Sequence, residues 1–344
     1  MKQKLLIWGG AGMLLLLLAI TLSLSIGTVR LPLLQVWGIV AHQLPWIGDH
    51  ISVNWEASSE QIVWRVRFPR VVLGVLVGAS LGVAGAAFQG VLRNPLADPY
   101  TLGVSSGAAV GASFLILFGL QFSLLGIWTI PAVAFTTGMA SLFTVLLLAR
   151  MDGKLQIETV ILSGVVMQAF LGAFVALMVS MSKQVVNEIV FWLMGSLTLR
   201  GWSYSLILLP YLVLGALLLL LFGRAMNLLS LGEAQAAHMG VNVERTKLTV
   251  LIAATLVTAA AVSVSGVVAF VGLIVPHLLR LLVGPDYRLL LPLSLIGGAL
   301  YVLSADTLGR MLLSPTEIPL GVVTAFLGAP FFVYLLRKSR RRAR

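Results

Sequence analysis

The stretch Lys247-Leu-Thr-Val-Leu-Ile-Ala-Ala-Thr-Leu-Val-Thr-Ala-Ala-Ala-Val-Ser-Val-Ser-Gly266-Val-Val-Ala-Phe-Val-Gly-Leu-Ile-Val-Pro276-His-Leu-Leu-Arg280-Leu-Leu-Val283 decides how the rest of the chain is read. Only Lys247 and Arg280 are charged within it. As one helix it would run about 55 Å, far beyond a hydrocarbon core of about 30 Å. Ser263-Val-Ser-Gly266 interrupts it midway, and Gly272 and Pro276 do so again further on. Two passes, 247–264 and 267–283, with a turn near Ser265–Gly266 are therefore expected. Outward from here, apolar runs recur near 5–27, 70–92, 100–120, 127–149, 156–181, 203–222, 289–313 and 318–336. With the divided run they make ten candidate spans.

Composition agrees. The 344 residues are 59% apolar and 10% charged, with no Cys, whereas a soluble domain is about a quarter charged. That excludes a soluble globular enzyme, a disordered chain and a disulfide-built domain. No polar stretch could house a second domain, so 1–344 reads as one polytopic, all-α membrane domain. The apolar run after Met1-Lys-Gln-Lys4 exceeds a signal-peptide core and reads as an uncleaved first span.

The net charge of +11 is informative through its placement. The tail Arg337-Lys-Ser-Arg-Arg-Arg-Ala-Arg344 abuts an apolar run and reads as an anchor on anionic lipid rather than a nucleic-acid arm. Both termini are basic, so both are expected in the cytoplasm. That demands an even number of crossings, as ten provides. Seven of the 23 Lys and Arg then fall outside: Arg30, Arg65, Arg67, Arg70, Lys183, Arg200 and Arg310. The cluster Arg65–Arg70 runs against the rule and requires a reason. Residues 31–48 are too interrupted to span and suit a helix lying at the outer interface.

Two glycine ladders, Gly74/Gly78/Gly82 and Gly103/Gly107/Gly111, let helix backbones approach closely. Their density in successive spans suggests walls around a pathway or a subunit seam. Chemistry is otherwise scarce. The four histidines lack ligand spacing, no phosphate-binding loop occurs, and neither catalytic residues, a metal site nor a cofactor is expected. Asp306 is the exceptional intramembrane carboxylate, with Arg310 placed four residues on to pair with it. His277, after Pro276, is expected to make a structural hydrogen bond. The polar segment 223–246 reads as two short helices around a turn, punctuated by Gly232 and Gly240.

Several segments carry a family likeness when taken together. They are Arg67-Phe-Pro-Arg70, Gly85-Ala-Ala-Phe-Gln89, Arg93-Asn-Pro-Leu-Ala-Asp-Pro99, Leu102-Gly-Val-Ser-Ser-Gly-Ala108, Leu231-Gly-Glu-Ala234 with Met239-Gly240, Gly266 to Arg280, Ala305-Asp306 with Arg310, Glu317-Ile-Pro-Leu-Gly321 and Gly328-Ala-Pro-Phe331. In this order and spacing, from about 60 to 336, the chain resembles the FecCD-type permeases of bacterial ABC importers, which carry cobalamin, iron–siderophores and haem.

The resemblance implies a BtuC-like fold with ten transmembrane helices in the bacterial cytoplasmic (inner) membrane. It also implies a second permease subunit, identical or paralogous, and two copies of an ABC ATPase beneath. A substrate-binding protein is expected to dock outside. The permease itself would not be an enzyme, since ATP is hydrolysed on the partner, which fits the missing phosphate loop. Within 230–242, Leu231, Gly232, Glu233, Ala234, Met239 and Gly240 are the expected ATPase-coupling residues. Asn94, Pro95 and Ala97 in the turn-rich loop 93–99 are a further candidate inner contact. Arg67, Arg70 and Arg310 are the expected docking residues for acidic side chains of the binding protein. A stand-alone secondary transporter and an integral membrane enzyme are the alternatives from other classes. The first would need ion coupling for which one paired Asp is thin support, the second a polar catalytic cluster that the chain lacks.

Overall fold

A computed structural model describes residues 2–342 other than 28, 47, 152 and 153, with the backbone alone for Met151 and 334–342. The basic side chains of the tail, expected against lipid headgroups, lie outside the described residues. In chain order the helices are α1 (Lys2–Ser25), α2 (Leu33–His42), α3 (Ala57–Gln61), α4 (Phe68–Val91), α5 (Val104–Phe118), α6 (Thr129–Leu148), α7 (Ile157–Met181) and α8 (Val186–Met194). They continue with α9 (Gly201–Leu221), α10 (Gly223–Leu229), α11 (Glu233–His238), α12 (Val243–Ser265), α13 (Val271–Val283), α14 (Tyr287–Leu312) and α15 (Leu320–Arg342). A short hairpin of β1 (Arg150–Met151) and β2 (Lys154–Leu155) joins α6 to α7.

Each of the ten apolar runs is helical, and α2 and the α10–α11 pair stand where short helices were expected. Among the described residues, seven helical stretches are long and apolar enough to cross a membrane: α1, α3 through α4, α6, α7, α9, α12 and α14. The runs 100–120 and 267–283 yield shorter helices than expected. α5 has 15 residues and α13 has 13, about 22 and 20 Å at the helical rise. In each case the chain enters through backbone that is not α-helical. A 3-10 turn, Pro99–Leu102, precedes α5, and residues 266–270 precede α13.

Helix α4 is the centre of the bundle, packed against α14, α12, α9 and α13. A π-helical stretch, Ile62–Arg67, leads into it. Pro69 follows within the same continuous helical run, and in the turn before it the Trp64 carbonyl accepts instead from Trp202 Nε1 at 3.2 Å. A Cβ at Gly78 would overlap the carbonyl of Gly298 on α14, one at Gly82 that of Ser294, and one at Gly85 the backbone of Gly272 on α13. The second ladder is similar, with Gly107 against the Thr137 carbonyl of α6. Both ladders therefore seat helices of this same chain on one another. Helix packing within this chain takes up the space that these missing side chains leave.

The non-helical stretch after α12 has Gly266 and Val268 buried and Val267, Ala269 and Phe270 half-buried, and backbone groups shielded from water need other partners. Nearby side chains and backbone supply their partners. The Tyr100 hydroxyl donates to the Val268 carbonyl (2.7 Å) and accepts from the Val268 N–H (3.2 Å). The Ser265 carbonyl accepts from Ser196 N–H at 2.8 Å, and the Gly272 carbonyl from Gln89 Nε2 at 3.0 Å. His277 departs from expectation, since its Nδ1 is buried with no hydrogen-bond partner among the described residues and its ring faces Phe332.

The close approach of α4 and α14 gives a direct test. Gly78→Ala should destabilise the detergent-solubilised protein by about 1–3 kcal/mol, because backbone rather than a flexible side chain must give way. Gly10→Ala on α1, with open space around it, should leave thermal unfolding unchanged. Equal melting profiles for the two variants would contradict this packing.

Candidate functional site: polar clusters at the two ends of the bundle

At the end carrying α2 and α8, the first turn of α4 meets the last turns of α1 and α14. Asp306 is buried, and Arg70 grips it through Nη2 (2.8 Å) and Nε (3.0 Å). The same guanidinium donates from Nη1 to both carboxylate oxygens of Glu317 at 2.9 Å. Arg310 approaches Asp306 at 3.3 Å along the helix, the pairing expected from their spacing. Asp306 is thus shared, with Arg70 as the closer partner.

Arg67 and Arg310 turn inward, onto α1. Arg67 donates to the carbonyls of Leu24 (2.8 Å), Ser25 (3.1 Å) and Val29. Arg310 donates to the Ser23 hydroxyl (2.6 Å), the Ser23 carbonyl (3.2 Å) and the Ile26 carbonyl (3.4 Å). The last carbonyls of a helix have no intrahelical donors, and the dipole makes that end negative. Two guanidiniums, one from the π-helical stretch that leads into α4 and one from α14, satisfy it. This is a physical reason for cations here that break the charge rule. Arg67 and Arg310 are 5% and 8% exposed, so neither presents its charge as a docking group would. Of the three expected docking residues only Arg70 borders open space. It lies with Ser196, Thr198, Asp306 and Glu317 along a cavity of about 210 Å³.

At the opposite end, α10 and α11 form a compact excursion between α9 and α12. Gly240 closes α11: at φ +85° its N–H bonds the Ala237 carbonyl, and the next N–H, of Val241, reaches back to Ala236. This is the six-residue Schellman closure, in which a left-handed residue is nearly always glycine. Leu231 and Met239 project outward, 57% and 60% exposed, with Ala234 exposed between them. Glu233 faces the bundle instead, toward Arg93 (3.5 Å) and Lys247 (3.1 Å). Asn227 of α10 bonds Asp286 (2.6 Å) and the Tyr287 N–H (2.8 Å), tying the excursion to the start of α14. The Arg288 side chain, with Asn227, holds Asp286 down at about 2.

The loop 93–99 makes the turns its Asn-Pro and Asp-Pro pairs foretold. Ala97 N–H bonds the Asn94 carbonyl and Leu96 N–H the Asn94 side chain. Asp98 caps the 3-10 turn through Tyr100 N–H at 3.1 Å. Ala97 is buried and Leu96 exposed; Pro95 is exposed and Asn94 half-buried. Pro95 and Leu96, with Asn94, are therefore what the loop presents outward, and Ala97 belongs to the core.

The sequence profile of the FecCD transport family matches residues 15–338. The chain belongs to the FecCD transport family. It is a multi-pass ABC transporter permease, a transport protein rather than an enzyme. It is 44% identical over 89% of its length to the cobalamin import system permease BtuC of Halobacterium salinarum, covering 83% of that protein. It is 38% identical to the hemin transport system permease HmuU of Yersinia pestis, covering 96% of each chain. A solved structure described as a metal-chelate type ABC transporter in an inward-facing conformation superposes with a TM-score of 0.82 at 33% identity, over 96% of this chain and 99% of that one. The BtuC-like all-α fold is thereby shown.

Sequence reading missed part of each end of this FecCD permease. Arg70 and Asp306 are 236 residues apart, and no periodicity links them. Lys247 looked like the polar border of a span, yet it is buried against Glu233, Glu244 and the hairpin. Its place one turn into an apolar helix was the available signal.

Two measurements check these clusters. Asp306→Asn leaves Arg70 and Arg310 facing each other with one carboxylate fewer, so unfolding in detergent should occur about 3–5 kcal/mol more easily; a change within error would refute the shared pairing. Burial raises the Asp98 carboxyl to about 7, partly opposed by the Tyr100 N–H. A raised carboxylate contributes stability that is present in acid and lost as pH climbs from about 4 to about 7. Asp98→Asn should flatten that slope, and an unaltered slope would argue against it.

Proposed function

We propose that this chain is the membrane-spanning permease subunit of a binding-protein-dependent importer for a metal chelate, moved by ATP-driven alternating access. In this reading the chain crosses the bacterial cytoplasmic membrane ten times with both termini inside. The α11 end rests on two ABC ATPase subunits, and a second permease subunit completes the pathway. The binding protein docks at the α8 end. Cobalamin, haem and iron–siderophores are the cargo class implied by the family; cobalamin, hemin and a metal chelate are what the two named permeases and the solved transporter are described as carrying.

The observation that carries the proposal is the α10–α11 excursion. Leu231, Ala234 and Met239 stand exposed on a helix that is fixed to the bundle from within, a fit for a partner's cleft. A supporting feature is α7, which packs few of its residues into the chain and exposes Gln168 near its middle. An amide facing lipid tails is costly, which suits a face turned to the second subunit or the pathway. At the other end, Arg70 and Glu317 form the rim pair that meets the binding protein, while Arg67 and Arg310 support that rim from below. Reading the chain as a secondary transporter would rest on Asp306, whose charge is already matched by two arginines.

The double variant Leu231→Asp, Met239→Asp tests the assignment, since both side chains are exposed and insertion should be normal. Co-purification of the ATPase subunits and ATP-dependent chelate uptake into proteoliposomes should fall together, by roughly tenfold or more, equivalent to about 1.4 kcal/mol. Uptake driven by an ion gradient in vesicles without the ATPase would overturn the proposal.

A further inference from the structure

We propose that Lys247 is a positioning residue for energy coupling: it ties α11 to the base of α12, so that movement of α11 is delivered to the far end of that helix. The inference rests on reading α11 as the ATPase contact. The geometry is specific. Lys247 lies one turn inside α12 and is 2% exposed. Its Nζ reaches the Leu155 carbonyl at 2.6 Å, Glu233 Oε2 at 3.1 Å and Glu244 Oε1 at 2.7 Å. An ammonium has three protons to donate, and here three different segments take them: β2, α11 and α12 itself. The remaining carboxylate oxygens extend the cluster. Glu244 Oε2 accepts from the Leu155 N–H at 2.9 Å, and Glu233 Oε1 lies 3.5 Å from Arg93 beyond α4. Two cations and two carboxylates thus join three connections to the base of α12 at this end of the bundle.

A buried ion cluster is a poor means of adding stability, since an apolar side chain of similar size often serves as well. What it does supply is direction, because hydrogen bonds hold α11 against both pull and push relative to α12. The helix above it suits transmission. α12 runs 23 residues without Gly or Pro, a rod of about 34 Å. At its far end the Ser265 carbonyl holds Ser196 N–H at 2.8 Å, just past α8. A Cβ at Gly266 would overlap the Trp192 carbonyl of α8. The same turn, through Ser196 and Thr198, lines the cavity beside Arg70 and Glu317. One continuous element therefore links the α11 end to the α8 end, and Lys247 is where α11 engages it.

The chain has no Cys, so Asn187→Cys places a single environment-sensitive fluorophore on the exposed face of α8. In the assembled complex with its ATPase, ATP plus vanadate should shift the label's emission, a readout that needs no knowledge of the cargo. Lys247→Met should keep the ATPase bound yet reduce that shift by roughly fivefold or more, and Lys247→Arg should restore most of it. A purely structural role would lower the melting temperature without changing the size of the shift. A full response in the Met variant would therefore overturn the tie. If the Met variant is not recovered from the membrane, Lys247→Gln takes its place: a reduced shift supports the tie and a full one overturns it. No response in the otherwise native chain, with the Leu231 and Met239 double variant still binding ATPase, would overturn the α11 reading and the tie with it.

Discussion

The backbone of α4 lies directly on that of α14, and the rest of the structure depends on this contact. Neither helix could approach so closely with side chains at Gly78, Gly82 and Gly298. In a bilayer, association cannot rely on expelling water from apolar surface, so close packing of small residues takes that role. The contact also fixes register. At one end it sets Arg70 beside Asp306; at the other it lays Gly90 on the ring of Tyr287, next to the Asp286 cap that holds α10.

Charge within the bundle follows from that register. Asp306 would be prohibitive alone in a low-dielectric interior, and it is tolerated because two guanidiniums from different helices converge on it. Arg310, one of the two, also donates to orphan carbonyls at the end of α1, as does Arg67 beside it. Arg67 and Arg310 thereby convert a helix terminus into part of the framework. Arg67 and Arg70 thus have a structural reason for their place near the start of α4, independent of any partner.

Helix interruptions give the chain its mechanical character. Backbone at membrane depth can leave the helix only where protein groups satisfy it, and Tyr100, Gln89 and Ser196 provide this around residues 265–272. The result is a long unbroken α12 joined to a short α13 by a pinned, non-helical link. Lys247 and its carboxylates hold the opposite end of α12. Fixed points at both ends make a helix suitable for carrying displacement over its whole length.

Much of the architecture was legible in the sequence. Apolar run length marked every long helix, Ser263–Gly266 marked the division of the longest run, and the polar stretch 223–246 with its two glycines marked α10 and α11. These are local properties, set by period, hydropathy and backbone preference, and neighbours along the chain suffice to read them. The exact reach of α5 and α13 was not legible, because non-helical entries are stabilised by side chains from elsewhere. Nor was the inward turn of Arg67 and Arg310, which depends on where the end of α1 falls. The burial of Lys247 and Ala97 and the sharing of Asp306 were likewise decided by tertiary structure alone. Each requires segments tens to hundreds of residues apart to meet, and only the packed bundle determines which charges find partners and which face out.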